Sequence, residues 1–261
     1  MLKAIFYGTF ALVAGFSTVN CGFIKNNYQS AYAEEQTKPK LAIVIDDFGY
    51  DRKGVSDMLK INLPLTIAVM PGLPYSEADA MEAHEHGHEV ILHMPMEAYG
   101  NLPESWYGPV MIRNSDTPEK ARKTLEGAID SIPYVNGVNI HMGTAVSQNK
   151  KLMNEVLSVT KERNLVFLDS RTIENTVCEE VAKSLNAPFT SRDVFLEIGC
   201  ANYNTALKEI REAVKVAKQN GKAIAIGHIG SMGRGETARA IKDSIDFITK
   251  EVDVVYLSTF K

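Results

Sequence analysis

Two adjacent carboxylates, Asp46 and Asp47, follow the apolar run Leu41-Ala42-Ile43-Val44-Ile45 and precede Phe48-Gly49. Like charges side by side at the end of a buried strand are costly unless a cation or a proton compensates them. The pair therefore marks a site. Other chemistry-bearing residues stand at comparable places, each just after a short apolar run: His93, His141, Asp169, Arg192-Asp193 and His228. One histidine near a strand end is ordinarily a packed or hydrogen-bonded residue. Three, together with a double aspartate, point to a metal. A catalytic zinc takes three ligands from His, Asp or Glu and keeps a fourth position for water, whose pKa falls towards neutrality. Two carboxylates in unlike environments suit such a site, one on the metal and one free as base.

Residues so far apart in sequence meet only if a scaffold gathers strand ends. The run 41–45, β-branched at three positions, reads as a strand buried on both faces. Similar runs recur at 65–70, 89–92, 137–140, 165–168, 188–190, 223–226 and 252–257. Between them the pattern predicts helices over 51–61, 75–86, 116–132, 147–163, 177–185, 205–219 and 236–250. Thr117-Pro118 is a helix start and Asn220-Gly221 a helix stop. Seven to eight strands alternating with helices imply an α/β domain of parallel βα units. A (β/α) barrel accommodates that count, with a doubly wound open sheet as the competing arrangement. Both place functional side chains just past the C-terminal ends of the strands.

Composition narrows the partners. Of 261 residues, 45% are hydrophobic and 23% charged, with a net charge of −4, a balance that gives no reason to expect nucleic acid as partner. Nothing in it sets an oligomeric state. The first residues differ from the rest: Met1-Leu2-Lys3, an uncharged apolar stretch over 4–19, and Ala31-Tyr32-Ala33 before Glu34-Glu35. This predicts export to the periplasm, cell envelope or exterior, with 1–33 a cleaved signal peptide, 34–39 a linker and 40–261 the barrel domain. The polar spacer before Ala31 is long for a signal peptide, so an uncleaved anchor is the alternative and the only membrane contact expected. Asn20 precedes Cys21 where a lipoprotein signal places a small residue. Cleavage would leave Cys178 and Cys200, free or paired. The cluster His84-Glu85-His86-Gly87-His88 straddles a helix end, where histidines favourably meet the dipole. Trp106-Tyr107 offers either a stacking surface for a sugar or a loop packed over the barrel mouth.

The motifs Ile45-Asp46-Asp47-Phe48-Gly49, His93-Met94-Pro95-Met96-Glu97, Asn139-Ile140-His141-Met142-Gly143-Thr144, Phe167-Leu168-Asp169-Ser170-Arg171 and Ile226-Gly227-His228, in this order, resemble the divergent polysaccharide deacetylase family. That family is a distant branch of the carbohydrate esterase four (NodB-homology) deacetylases. The resemblance implies a distorted, NodB-like (β/α) barrel and one divalent metal ion, Zn2+ in many relatives. It implies Asp46 as general base, Asp47 as metal ligand and His228 as general acid. Typical relatives take two ligands from a His-x-x-x-His motif. Here His93 is followed four places on by Glu97, so the third ligand is His141, the favoured choice, or Glu97. The arginine-proline-tyrosine motif of typical members is also absent, and Arg171 or Arg192 would do its work, with Asp169 and Asp193 holding the pair or meeting substrate. The expected function is metal-dependent deacetylation of an N-acetylated polysaccharide or peptidoglycan-like glycan. The alternative is a non-catalytic envelope protein that binds metal and glycan. Hydrolysis of a phosphate ester is a weaker third, since no Gly-rich phosphate loop is evident.

Overall fold

A computed structural model describes residues 37–198, 202–230 and 235–261; the predicted signal or anchor segment and Cys200 lie outside them. Eight parallel strands make the sheet: β1 (Lys40–Phe48), β2 (Thr66–Val69), β3 (Glu89–Met96), β4 (Val135–Met142), β5 (Val166–Asp169), β6 (Phe189–Ser191), β7 (Val194–Phe195) and β8 (Lys222–His228). They are hydrogen-bonded in the order β6-β5-β4-β3-β2-β1-β8-β7, and β9 (Asp253–Val254) pairs with the start of β1. β6 and β7 end that order on opposite sides, yet only Arg192 and Asp193 separate them in sequence. Two residues reach about 10 Å at most, so the sheet curls back on itself into the distorted (β/α) barrel expected from the sequence. The linking residues stitch the seam: Arg192 N–H donates to Asp169 O on β5, and Asp193 N–H to Ile224 O on β8. The Asp193 carboxylate accepts Ile224 N–H at 2.8 Å.

Around the sheet lie α1 (Val55–Leu59), α2 (Ser76–Glu85), α3 (Pro118–Asp130), α4 (Lys150–Glu162), α5 (Cys178–Leu185), α6 (Tyr203–Asn220) and two last helices, Glu236–Asp243 and Ile245–Glu251. Several ends fall where a cap predicts. Thr117 accepts Lys120 N–H ahead of Pro118, Asn149 accepts Leu152 N–H, and Gly221 closes α6 at φ 78°. Three expectations change. The helix over 51–61 shrinks to α1, because Asp51 caps its own turn through Lys53 N–H and Gly54 takes φ 81°. The single helix over 236–250 breaks at Ser244, whose N–H turns back to Ile241 O. The strand over 252–257 is only β9, followed by a single turn over Leu257–Phe260. Among the described residues no helix is long and apolar enough to cross a membrane.

Alternation along each strand divides two cores. Leu41, Ile43 and Ile45 of β1 pack outward under the helices, whereas Ala42 and Val44 join Ala68, Ile91, Val166, Leu168, Ile224 and Ile226 inside the barrel. Leu257 and Phe260 plug that inner core at the end where the strands begin. Cys178 is a free thiol, buried at the start of α5.

A candidate metal centre at the barrel mouth

Period-two alternation decides which strand-end residues meet. On β1 the inward set is Ala42, Val44 and then Asp46. A regular strand would send Asp47 outward. Instead the pairing with β2 slips between Ile45 and Phe48, where Ile45 faces Ile67 but Phe48 faces Val69. This extra residue is a β-bulge. Asp47 takes φ 71°, and Phe48 rejoins the outer core beside Ile45. The bulge turns two successive carboxylates into one cleft. A non-glycine residue in this left-handed region costs of order 1 kcal/mol. Met142 and Arg171, also at the mouth, share the conformation at φ 61° and 47°.

Against this pair stand three imidazoles. On β3, Val90, Leu92 and Met94 face outward and His93 inward; on β4, Val138 and Ile140 face outward while Asn139 and His141 face inward. His93 Nε2 lies 3.4 Å from Asp47 Oδ1, His141 Nδ1 lies 3.2 Å from the same oxygen, and the two nitrogens are 3.0 Å apart. The opposite ring nitrogens are spoken for. His93 Nδ1 donates to Asn139 Oδ1 at 2.8 Å, because the Asn139 amide donates its own hydrogen to Asp46 Oδ1 at 2.8 Å. His141 Nε2 donates to the Trp106 carbonyl at 3.0 Å. Both facing nitrogens therefore present lone pairs to each other and to a carboxylate oxygen that is buried without a hydrogen-bond partner. Three electron-rich atoms converging on one point repel unless a cation sits among them. Zinc–nitrogen and zinc–oxygen bonds of about 2.0 Å make a tetrahedral edge of about 3.3 Å, and the three separations lie within about 0.3 Å of it. Among the described residues no other group of three such side chains converges in this way.

His228 closes the other side, its Nε2 4.0 Å from Asp46 Oδ2. Behind it Glu197, absent from the sequence reading, accepts His228 N–H at 2.9 Å, His228 Nδ1–H at 3.1 Å and the Thr237 hydroxyl at 2.6 Å. A Cβ at Gly227 would stand 2.9 Å from Thr237 Cγ2 and 3.3 Å from Glu197 Oε1, so only glycine lets the carboxylate in. Its signal in sequence was an acidic residue ending the apolar triplet Val194-Phe195-Leu196, a strand too short to stand out.

The two aspartates differ in charge preference. Burial pushes Asp46 above the usual carboxylate range, against the pull of His93 and His228. Burial acts on Asp47 too, but in the metal-free chain a proton carried on the facing side of His141 or His93 outweighs it and holds the carboxyl well below that range. For His228, burial disfavours the imidazolium, yet Glu197 and the two aspartates raise its pKa to about 9. These groups line a cleft of about 690 Å³ walled by Met70, Met142, Phe195 and Ile229, with Tyr50 and Trp106 exposed at its rim.

The remaining predicted residues lie elsewhere. Glu97 Oε2 accepts Asn114 N–H at 2.6 Å and shapes the loop after β3, leaving His141 beside Asp47 and His93. Asp169, one step past inward Leu168, faces its own loop and accepts Arg171 N–H and the Thr176 hydroxyl. Arg192 binds the carbonyls of Ser170 and Arg171 rather than a carboxylate, and lies 5.0 Å over the Phe195 ring. The Arg171 side chain is half exposed, 3.9 Å from Glu179, and Asp193 belongs to the seam. His84 stacks on Tyr134, His86 bonds Glu82 O and buried His88 bonds Leu59 O, so that cluster does not converge.

Known proteins share both sequence and fold with this chain. A protein of Escherichia coli K12, the uncharacterized protein YibQ, is 35% identical over 193 residues, and an uncharacterized protein of Haemophilus influenzae is 31% identical over the same length. Each match takes in 72% of this chain, and the chain spans only 58% and 66% of those two relatives. The crystal structure of the uncharacterized protein ATU2773 from Agrobacterium tumefaciens C58 superposes with a TM-score of 0.79 at 22% identity, over 87% of this chain and 91% of that one. The Bc1960 peptidoglycan N-acetylglucosamine deacetylase superposes with 0.54 at 13% identity, over 85% and 88%, and so shares the fold. The family profile described as divergent polysaccharide deacetylase matches residues 43–260, nearly the whole barrel. This chain is a member of the divergent polysaccharide deacetylase family.

Proposed function

We propose that this protein is an exported, metal-dependent hydrolase that removes acetyl groups from an N-acetylated, peptidoglycan-like glycan. One observation carries the reading: Asp47, His93 and His141 aim three electron-rich atoms at one point while Asn139 and Trp106 hold the outer imidazole hydrogens. Those three residues would hold the ion, and Asn139 and the Trp106 carbonyl would fix the rings that bind it. When bound, a divalent ion supplies Lewis acidity, lowering the pKa of water and polarising a carbonyl. Family membership and the deacetylase fold supply the reaction class.

The protein's own groups then divide the work. Asp46, buried beside the three ligands, takes the proton of the attacking water as its oxygen bonds to the acetyl carbon. Its raised pKa suits a base that must hold that proton. His228, kept protonated by Glu197, gives its proton to the amine nitrogen as the C–N bond breaks, releasing acetate and free amine. Trp106 and Tyr50 at the rim offer ring faces to the sugar. Export rests on the N-terminal pattern, and mass spectrometry of the mature N-terminus would test it.

Acetate release from chitooligosaccharides and peptidoglycan fragments is the direct assay, run beside metal analysis of three proteins. Wild type should carry about one equivalent of Zn2+ or a similar ion. Asp47→Ala should lose it, whereas Asp46→Asn should keep it and lose turnover by about a hundredfold or more. Retained metal and activity in both variants would sink the assignment. Glycan binding without acetate at any metal loading would favour a non-catalytic role.

A further inference from the structure

The shared cleft depends on a backbone irregularity, and the question is what holds it. Beyond Asp47 the chain is pinned at three points. Phe48 O accepts Met70 N–H at 2.9 Å, Gly49 O accepts Tyr75 N–H at 3.0 Å, and Gly49 N–H donates to Asp79 Oδ2 at 2.8 Å. The first two are backbone pairs that many sequences would make. The third needs a particular side chain. Asp79 is fully buried in the first turn of α2, and its other oxygen pairs with Arg52, which also reaches Glu82 and lies 5.9 Å over the Tyr75 ring. A buried carboxylate is a strong acceptor for a backbone N–H and is otherwise out of place under a helix. Gly49 sits at φ 106°, where a Cβ would stand 3.0 Å from Ser76 Oγ and 3.2 Å from Met70 O. The first turn of α2 thus closes directly over the turn that carries the double aspartate.

We infer that Asp79 is a positioning residue for the metal centre: by holding Gly49 N–H it clamps the bulge that aims Asp46 and Asp47 into one cleft. Asp79 is not among the residues lining that cleft, and it acts through two residues of backbone. Arg52 serves only to pair its charge.

The test separates the acceptor from the charge. Asp79→Leu removes both, Asp79→Asn keeps an oxygen for Gly49 N–H, and Arg52→Gln keeps the carboxylate but removes its partner. Dissociation constants for Zn2+ and Co2+ by chelator competition, the visible spectrum of each Co2+ form and a crystal structure of each metal-free variant are the readouts. Asp79→Leu should weaken both ions at least tenfold, alter the Co2+ spectrum and release Asp47 from its left-handed conformation. Asp79→Asn should restore affinity to within about threefold with the wild-type spectrum, and Arg52→Gln should bind as wild type. If Asp79→Leu does not fold, Asp79→Ser, too short to reach Gly49, carries the same expectation. Wild-type affinity, spectrum and backbone in the Leu or Ser variant would overturn the inference, as would an equal loss in Arg52→Gln. The metal readouts rest on the metal reading of the site. Should wild type bind no ion, that reading fails, and the Asp47 backbone in the metal-free variants still decides the clamp.

Discussion

Glu89 and His93 lie four residues apart on the same inward face of β3, at opposite ends of the barrel. Both are buried and polar, and their surroundings differ. Glu89 Oε2 accepts the Thr66 hydroxyl at 2.8 Å, both its oxygens lie 3.3 Å from Ser258 N–H, and Thr66 in turn accepts Leu257 N–H. Every partner comes from the adjoining strand or the C-terminal plug, and the group is satisfied. At the other end Asp47 Oδ1 has no hydrogen-bond partner, and its nearest neighbours are two lone pairs. Both ends hold a carboxylate with a shielded oxygen, although Asp47 as a whole is less buried than Glu89. What separates a structural carboxylate from a functional one is whether the fold has completed its hydrogen bonds. Backbone conformation does not follow this division: Asp47, Met142 and Arg171 take positive φ at the mouth, but Tyr134, Asn164 and Asn186 do so ahead of β4, β5 and β6 at the other end.

The sharpest way to break this contrast is to remove a carboxylate from each end. Asp47→Gly should weaken Zn2+ binding by at least about a hundredfold. It should lower the metal-free melting temperature by less than the loss of Glu89 does, because glycine accepts φ 71° without strain and relief of the like charge beside Asp46 offsets the lost attraction to His93, His141 and His228. Glu89→Ala should do the reverse. It strands the Thr66 hydroxyl and Ser258 N–H, costing about 3 kcal/mol, a fall of roughly 6–12 °C in a domain this size, with metal affinity unchanged. Thermal denaturation of the metal-free proteins, paired with metal titration, reads both. An Asp47→Gly destabilised as much as Glu89→Ala, or a metal-deficient Glu89→Ala, would erase the distinction.

Much of this was legible in the sequence. The βα alternation set the fold class, and the strand-end residues Asp46, Asp47, His93, His141 and His228 do face one cleft. Asp169 also ends a strand and does not join them, since Leu168 before it points inward and alternation sends Asp169 out. That parity was hidden in the sequence, because Val166, Phe167 and Leu168 are all apolar and the strand is buried on both faces. Asp47 shows the opposite: alternation sends it out, and only the bulge, written in backbone geometry rather than residue type, brings it in. Asn139 lay inside a recognised motif without a role, because its task appears only once β1, β3 and β4 lie side by side. The seam residues Arg192 and Asp193 carried the charges of a site, and the closure they serve is a property of the whole sheet.

The two ends should also answer pH with opposite signs. Burial opposes protonation of His228, but Glu197 and the aspartates raise its pKa to about 9 in the folded chain, above the ordinary 6.5. The stability this contributes is fully present below pH 6.5 and is lost as pH rises towards 9, on the order of 3 kcal/mol. Glu197→Gln should remove most of that alkaline loss from the metal-free protein, measured by chemical denaturation between pH 6 and 10. For the proposed deacetylation, the same change should move the basic limb of the pH–rate profile towards lower pH. An unmoved limb would take Glu197 out of the proton transfer.

His88, at the opposite end, supplies the converse and the smallest effect. Burial lowers its pKa, the Leu59 carbonyl opposes that shift and His86 adds to it, while Nδ1 is buried without a partner. The unfolded chain therefore takes up a proton near pH 6.5 that the folded chain refuses until lower pH. Stability is fully present above 6.5 and falls as pH drops below it. His88→Gln replaces the imidazole with an amide that still donates to Leu59 O and carries no proton to gain. It should cost about 1 kcal/mol at pH 8 through the changed packing, yet lose less than wild type between pH 7 and 5. Denaturant unfolding of both metal-free proteins at pH 5, 6, 7 and 8 reads the difference in slope. Parallel curves would mean that His88 enters the folded state as easily charged as neutral, which an unpartnered buried nitrogen does not allow.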